Sequence, residues 1–209
     1  MIAALYVQTN GVYYGLEGVD PWDEERDARL YPGPFPVVAH PPCARWGRYW
    51  HGGPSARVRR IRGDDNGCFK AALRAVHLHG GVLEHPEASS AWSAHQIARP
   101  PRAGGWVSAG LWTPGWTCCV EQGHYGHRAR KATWLYYVGP EPPELAWGPS
   151  PPGQRLDEGF HSAEERRKSK RMGVLQRLSK REAAATPLPF RDLLLSLARE
   201  TRLSTQDEV

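Results

Sequence analysis

The sequence predicts an α/β fold with a C-terminal helical extension. Short apolar runs at 2–7, 36–40, 82–86, 116–122 and 133–138 have strand length, and several stop at proline or a polar pair. Between the second and third of these runs, Phe69, Leu73 and Val76 recur on one face of a helix spanning about 67–79. Near the end, Phe190, Leu193, Leu194 and Leu197 fall at i, i+3, i+4 and i+7, the stripe of a packing helix.

Length and composition narrow the class. The 209 residues suffice for one domain with an appendage and a real core. With 40% apolar and 23% charged residues the chain reads as globular rather than disordered or fibrous. No apolar run reaches the roughly 20 residues of a membrane span, and no basic leader precedes the first run, so a membrane or secreted location is not expected. The four cysteines Cys43, Cys68, Cys118 and Cys119 lack the spacing of a disulfide scaffold, and the adjacent pair is poorly placed to bridge. Free thiols in a reducing cytoplasm are expected. A net charge of +5 permits a polyanionic partner without requiring one.

The elements follow in order. Ile2 to Val7 reads as a strand, and Asn10-Gly11 predicts a hairpin into a second strand at Val12–Tyr14. The acidic stretch Asp20 to Asp27, broken by Pro21, reads as a loop. Pro36 to His40 is a buried strand stopped by Pro41-Pro42. Ala44 to Arg62 carries six arginines and no acid, interleaved with Trp46, Tyr49 and Trp50. The helix at 67–79 has Asp64, Asp65 and Asn66 for caps and Gly80-Gly81 as its stop. Val82 to Pro86 is the next strand, Ser93 to Pro114 a long excursion, and 116–122 and 133–138 the last two strands. The expected organisation is an α/β catalytic-type domain at 1–139, a Pro-rich linker at 140–153, and a charged helix plus packing helix at 154–209. That charged helix begins at the capping box Ser162 to Glu165.

Three places carry residues suited to chemistry. Cys43 follows a buried strand, where open α/β sheets gather ligands, and Arg45 and Arg48 nearby would lower a thiol's pKa. His40, at the end of that strand, could serve as its base, or simply be structural. Glu84 ends the next strand and is placed to manage a proton on a heterocycle. In the segment Gln122 to Lys131, Arg128 and Arg130 alternate, an arrangement suited to base edges or phosphates. Cys118, Cys119, His124 and His127 lack zinc-ligand spacing, and no metal is expected.

Together, strand–Pro–Pro–Cys, strand–Leu–Glu–x–Pro, and Gln followed by spaced arginines and a strand resemble the catalytic half of the cytosine-C5 DNA methyltransferases. Over nearly its whole length the chain is also similar to short "DNA methylase" proteins of actinobacterial phages, through Asp20 to Asp23, Gln122 to Thr133 and Thr186 to Phe190. The resemblance implies a Rossmann-like methyltransferase sheet and S-adenosylmethionine as cofactor. It further implies Cys43 as the nucleophile at C6 of a flipped pyrimidine, Glu84 as the acid at N3, and Arg128 and Arg130 as base-positioning groups. Pro42, Arg45, Arg48, Trp46, Arg59, Arg60, Gln122 and Lys131 would contact substrate or DNA, with the loop from Ala44 to Arg62 closing over the flipped base. DNA is the expected partner, a partner subunit or second copy is possible, and the host cytoplasm is the location if the chain is phage-encoded.

The sequence departs from the family at Ala44 where Gln is usual, at His85 where Asn is usual, and in the six-residue step from Gln122 to Arg128. Upstream there is no Phe-x-Gly-x-Gly, and Asp27 is the acid that best corresponds to the one preceding the Cys strand. The cofactor-binding half therefore reads as shortened. Two alternatives stay open: pyrimidine modification with another donor or a partner subunit, and a non-catalytic DNA-binding relic.

Overall fold

Ile2–Leu5 forms β1, and all four residues are buried, as a central parallel strand requires. In the computed structural model, which describes residues 1–52, 58–151, 153, 154, 156, 164, 167 and 178–203, β1 lies inside a seven-stranded mixed sheet. The strands are β2 Val19–Trp22, β3 Val37–Ala39, β4 Gly81–Pro86, β5 Val107–Ser108, β6 Trp116–Glu121 and β7 Ala132–Val138, in spatial order β2-β1-β3-β4-β7-β6-β5. β1 to β4 run parallel; β7 is antiparallel to β4 and to β6, and β5 to β6. The protein is thus α/β with a mixed sheet.

Two expectations near the N-terminus fail. Val12 to Tyr14 forms no strand; residues 11–15 are a run of turns and bends. The partner of β1 is instead the Pro21-containing stretch, paired in parallel with Ile2 opposite Val19. Proline is tolerated because β2 is an edge strand, whose outward side needs no N–H for the ladder. The connection 6–18 turns through left-handed conformations at Tyr6, Asn10, Gly15 and Gly18.

Alternation along the strands builds two cores. Ala3, Leu5, Val37, Ala39, Leu83, Trp134 and Tyr136 face helix α1, Cys68–His79, through Phe69, Ala72 and Val76. Ile2, Ala4, Val38, Val82, Leu135 and Tyr137 face the C-terminal helix through Phe190, Leu194 and Leu197. That helix, α4, spans Leu188–Leu203; it is preceded by α2, Ser90–Ala94, and α3, Lys180–Ala184. Its expected stripe is the packing face, with Phe190, Leu194 and Leu197 fully buried. Asp65 caps α1, accepting from the backbone N–H of Gly67 and Phe69. Gly81 is obligatory where β4 begins: it sits at φ +112°, and a Cβ there would lie 2.0 Å from the Val37 carbonyl oxygen.

The Pro-rich stretch after β7 is tied to the body. Trp106 donates to the Pro143 carbonyl, the Ala146 N–H reaches the Tyr125 hydroxyl, and Ser150 donates twice to Glu121. The charged helix expected from Ser162 lies mostly outside the described residues, as do Gly53 to Arg57 of the arginine-rich loop. α3 has its own capping box, Ser179 with Glu182. All four cysteines are free thiols. Among the described residues no helix is long and apolar enough to cross a membrane.

Candidate active site

Strand order fixes where a site can form. The chain leaves β1 for β2 on one side and then returns for β3 on the other, so β1 and β3 flank a topological switch point. The crevice outside their carboxyl ends is the usual ligand position in such sheets. His40 follows β3 there. Register carries Glu84 beside it, because Ala39 pairs with Leu83 and the next residues are His40 and Glu84.

These two side chains are bonded, with His40 Nδ1 3.0 Å from Glu84 Oε2. The Tyr13 hydroxyl lies 2.8 Å from His40 Nε2, and Tyr13 is itself buried beneath the sheet edge. Gln122 reaches the other carboxyl oxygen, its Nε2 3.3 Å from Glu84 Oε1 and 2.9 Å from Thr133 Oγ1. The Gln122 Oε1 is buried without a hydrogen-bond partner. Burial pushes the Glu84 carboxyl up, but the His40 hydrogen bond and the nearby charges of His40, Lys131 and His85 outweigh it and hold the pKa at about 2. Glu84 is therefore an ionised, acceptor-only group at neutral pH. Because an ionised Glu84 only accepts, His40 donates to it from Nδ1, while Nε2 pairs with the Tyr13 hydroxyl.

Cys43 lies on the exposed loop after Pro41-Pro42. The charges acting on its sulfur are Glu84 and Lys131, which places all three in one electrostatic neighbourhood. The pKa reduction expected from Arg45 and Arg48 is absent. Desolvation by the surrounding protein and the Glu84 carboxylate push the thiol up, with Lys131 opposing. Removing the carboxylate reverses one of the two raising causes. Alkylation of Cys43 by iodoacetamide at pH 8 is therefore expected to run faster in Glu84→Gln than in the wild-type protein, as read by peptide mass spectrometry; equal rates would separate the two groups.

The remaining expected residues divide. Lys131 joins the cluster because Lys131, Thr133 and Leu135 share one face of the β7 path, and Leu135 is the register partner of Glu84. Arg128 and Arg130 do not join it: Arg128 pairs with Glu182 at 2.6 Å, and Arg130 Nε lies 3.5 Å from the Pro151 carbonyl. Trp46 is a buried anchor rather than a DNA contact, its Nε1 donating to Asp65 and its carbonyl accepting from the N–H and hydroxyl of Ser90. Gly63 is backed against the Trp46 ring, so a Cβ there would lie 2.8 Å from it. The arginine-rich loop is pinned at both ends by this packing, with Arg48, Arg59 and Arg60 exposed along it and Arg62 over the Trp50 ring. Pro42 is exposed beside Cys43. Asp27 is consumed by Arg29, which binds both carboxyl oxygens, and caps a 3₁₀ turn. Tyr13 and Thr133 are the members that sequence patterns missed.

His85 points the other way. It pairs in register with Trp134 and is buried among Phe69 and Trp92, away from Glu84's face. Neither ring nitrogen has a hydrogen-bond partner, and burial pushes its pKa down to about 4. A ring kept neutral in the fold but charged when unfolded weakens the protein as pH falls from 6.5 toward 4, by up to about 3 kcal/mol. Glu84 acts in the same direction in a lower window, its stabilisation present above pH 4.5 and lost as pH falls toward 2. Urea unfolding of His85→Phe is expected to flatten the upper window and leave the lower one. An unchanged slope between pH 6.5 and 4 would overturn this assignment.

Among the described residues no three His, Cys, Asp or Glu side chains gather as metal ligands. Comparison with protein-family models, with curated proteins and with solved structures finds no match to this chain.

Proposed function

We propose that the protein modifies a pyrimidine base of DNA by thiol addition, in the manner of the cytosine-C5 methyltransferases it resembles. The observation that carries this reading is the Glu84 carboxylate fixed by His40 and Gln122 at the carboxyl ends of β3 and β4, with Cys43 on the loop that follows His40 and with Glu84 and Lys131 as the charges acting on its sulfur. A thiol, a fixed carboxylate and a cation are the set that allows attack at C6 of a pyrimidine ring and so makes C5 nucleophilic. The parallel order β2-β1-β3-β4 with antiparallel β7 beyond supports a Rossmann-like sheet in which one strand lies outside β1.

The balance of the first step suits these residues. As the Cys43 sulfur bonds to C6, its proton passes to Glu84 and from there to N3. The C5=C6 and C4=N3 electrons shift to give C4=C5 and an N3–H bond, which makes C5 nucleophilic. A protonated resting thiol is then an asset, because it brings the proton that N3 must receive. This amends the expected role of Glu84: held at about pKa 2, it transfers a proton rather than storing one. His40 and Gln122 fix the carboxylate's position, and the Lys131 charge, which acts on both Cys43 and Glu84, opposes charge on the ring. On release, the C5 proton passes to a water molecule or hydroxide as C5=C6 re-forms and the sulfur leaves, and the N3 proton returns through Glu84 to the thiolate as C4=N3 is restored.

S-adenosylmethionine supplies an electrophilic methyl carbon when bound. Beyond β1 the backbone turn fits such a group, but the acidic residues do not present free oxygens to it. The turn after β1 is left-handed at Tyr6 and Asn10, as tight glycine-type turns are, and a Cβ at Gly11 would lie 2.7 Å from the Gln8 carbonyl oxygen. Trp22 ends β2 with a half-buried aromatic ring, flanked by Asp20 and by the buried carboxylate of Asp23. The 6–11 backbone would line such a group, whereas Asp20, bound by Arg26 and Trp22 Nε1, and the Trp22 ring, covered by the Arg26 guanidinium and Tyr31, are engaged within the protein as Asp27 is. Asp23 now accepts from Thr9, Tyr14 and the N–H groups of Glu25 and Arg26, which ties the turn to β2.

DNA incubated with protein and S-adenosylmethionine, then digested to nucleosides, is expected to contain 5-methylcytosine. Nucleosides unchanged with this donor, together with no calorimetric binding of it, would overturn the methyl-transfer reading.

A further inference from the structure

The arginine-rich loop that follows Cys43 leaves the body as two legs, residues 45–52 and 58–63, tied to each other. The Gly63 N–H donates to the Arg45 carbonyl at 3.1 Å, and the Arg62 guanidinium lies 5.0 Å from the centre of the Trp50 ring. Gly52 sits at φ +87° against Arg60, where a Cβ would lie 2.8 Å from Arg60 Cζ. Trp46 anchors the first leg through Asp65, ahead of α1, and Ser90, after β4, so both legs stand at the carboxyl edge of the sheet. Two hydrogen-bonded turns lead from the thiol into that leg. The Gly47 N–H donates to the Cys43 carbonyl at 2.9 Å, and the Trp50 N–H to the Gly47 carbonyl at 3.0 Å.

The legs present apolar side chains and cations to solvent together. Trp46 is buried and Trp50 is half-buried beside Arg62, so the aromatic ring left open is that of Tyr49, 65% exposed. Val58 and Ile61 are 73% and 64% exposed. Arg48, Arg59 and Arg60 are exposed on the same legs, and the described residues 44–52 and 58–62 include no acid. Asp65, just beyond, is occupied by Trp46 and by the N–H groups of Gly67 and Phe69. A nucleic acid strand matches both features, with phosphates for guanidinium forks and base faces for apolar side chains. Only unpaired bases offer those faces. In a duplex each base is covered by its stacked neighbours, and a protein meets phosphates and base edges, which polar groups contact.

We propose that the two legs form a platform for single-stranded DNA, with Tyr49 stacked on a base of the strand whose pyrimidine reaches Cys43, and with Arg48, Arg59 and Arg60 on its phosphates. The inference rests on the reading that Cys43 acts on a DNA base, and it names the substrate as an unpaired strand. It also moves the aromatic contact from the buried Trp46 to Tyr49. An unpaired substrate spares the protein the cost of extracting a base from a duplex. Stacking accepts any base, so the platform holds the strand without reading its sequence.

Binding separates this platform from the chemistry. Anisotropy titrations of a labelled oligonucleotide of mixed sequence, alone and annealed to its complement, at several salt concentrations, compare wild type, Tyr49→Ala, Tyr49→Phe and Arg48→Gln. The single strand is expected to bind wild type about 10-fold or more tightly than the duplex does. Tyr49→Ala is expected to weaken single-strand binding about 5- to 100-fold, the loss of one stacked base, with the salt slope and the duplex affinity unchanged. Tyr49→Phe keeps the ring and is expected to bind as wild type does. Arg48→Gln is expected to lower the single-strand salt slope by about 0.7, one phosphate's share. Wild-type single-strand affinity in Tyr49→Ala, or a duplex bound as tightly as the single strand, would overturn the platform; Cys43-dependent base modification by the same preparations would leave the thiol chemistry standing. A wild-type protein that binds neither form would overturn both.

Discussion

The Cys43→Ala variant is expected to lose base modification by about 10⁴-fold or more while folding normally. No other thiol can replace it. Cys118 and Cys119 are buried within β6, and Cys68 opens α1 on the other side of the arginine-rich loop. Without sulfur addition at C6 the ring keeps its aromatic C5, and the remaining residues supply only positioning. Cys43 lies exposed on a loop, so the deletion of its sulfur should change stability by no more than about 0.5 kcal/mol. Nucleoside analysis of digested DNA reads the first quantity and a urea midpoint the second. Normal turnover by Cys43→Ala would remove the nucleophile from the account.

The second large effect belongs to the carboxylate and its support. Glu84→Gln keeps the shape and the amide contact to Gln122 but cannot carry a proton, and the rate is expected to fall by about 10² to 10⁴. His40→Ala leaves Glu84 in place and removes the hydrogen bond that opposes burial, so the carboxyl pKa rises from about 2. Only the ionised form accepts the thiol proton. The acid limb of the His40→Ala pH–rate profile should therefore move to higher pH, whereas a purely structural role would lower the rate equally at all pH values. Partial recovery in His40→Asn, which can still donate to the carboxylate, is expected. A His40→Ala profile parallel to wild type would contradict the positioning role of His40.

The parts of the fold legible in the sequence are those where one physical signal acts alone. β3 is a continuous apolar run cut by proline, β4 an apolar start ended by a polar pair and proline, and α1 and α4 have clean helical stripes. β2 was hidden because Pro21 and the acidic residues around it carry loop chemistry, and only an edge position reconciles them with a strand. The Asn10-Gly11 signal is a real turn, but it sits in a crossover between parallel strands rather than in a hairpin. Cys43 and Glu84 were legible from their places at strand ends. Lys131, by contrast, is overshadowed by Arg128 and Arg130, since which basic residue of this segment brings its charge to Glu84 depends on where β7 begins. Tyr13 left no pattern at all, because its role comes from packing under an edge formed by residues far along the chain.

The most direct test of the central claim needs no cofactor and no knowledge of the target. An oligonucleotide with randomised flanks around a 2-pyrimidinone base, which lacks the exocyclic amine and is more electrophilic at C6, is incubated with the protein, denatured, and weighed by intact-mass spectrometry. The account predicts a species with the summed mass of protein and oligonucleotide, mapping to the peptide that contains Cys43 and absent from Cys43→Ala. Complete absence of that species from the wild-type protein, under conditions where the oligonucleotide is bound, would contradict thiol addition as the function of this site.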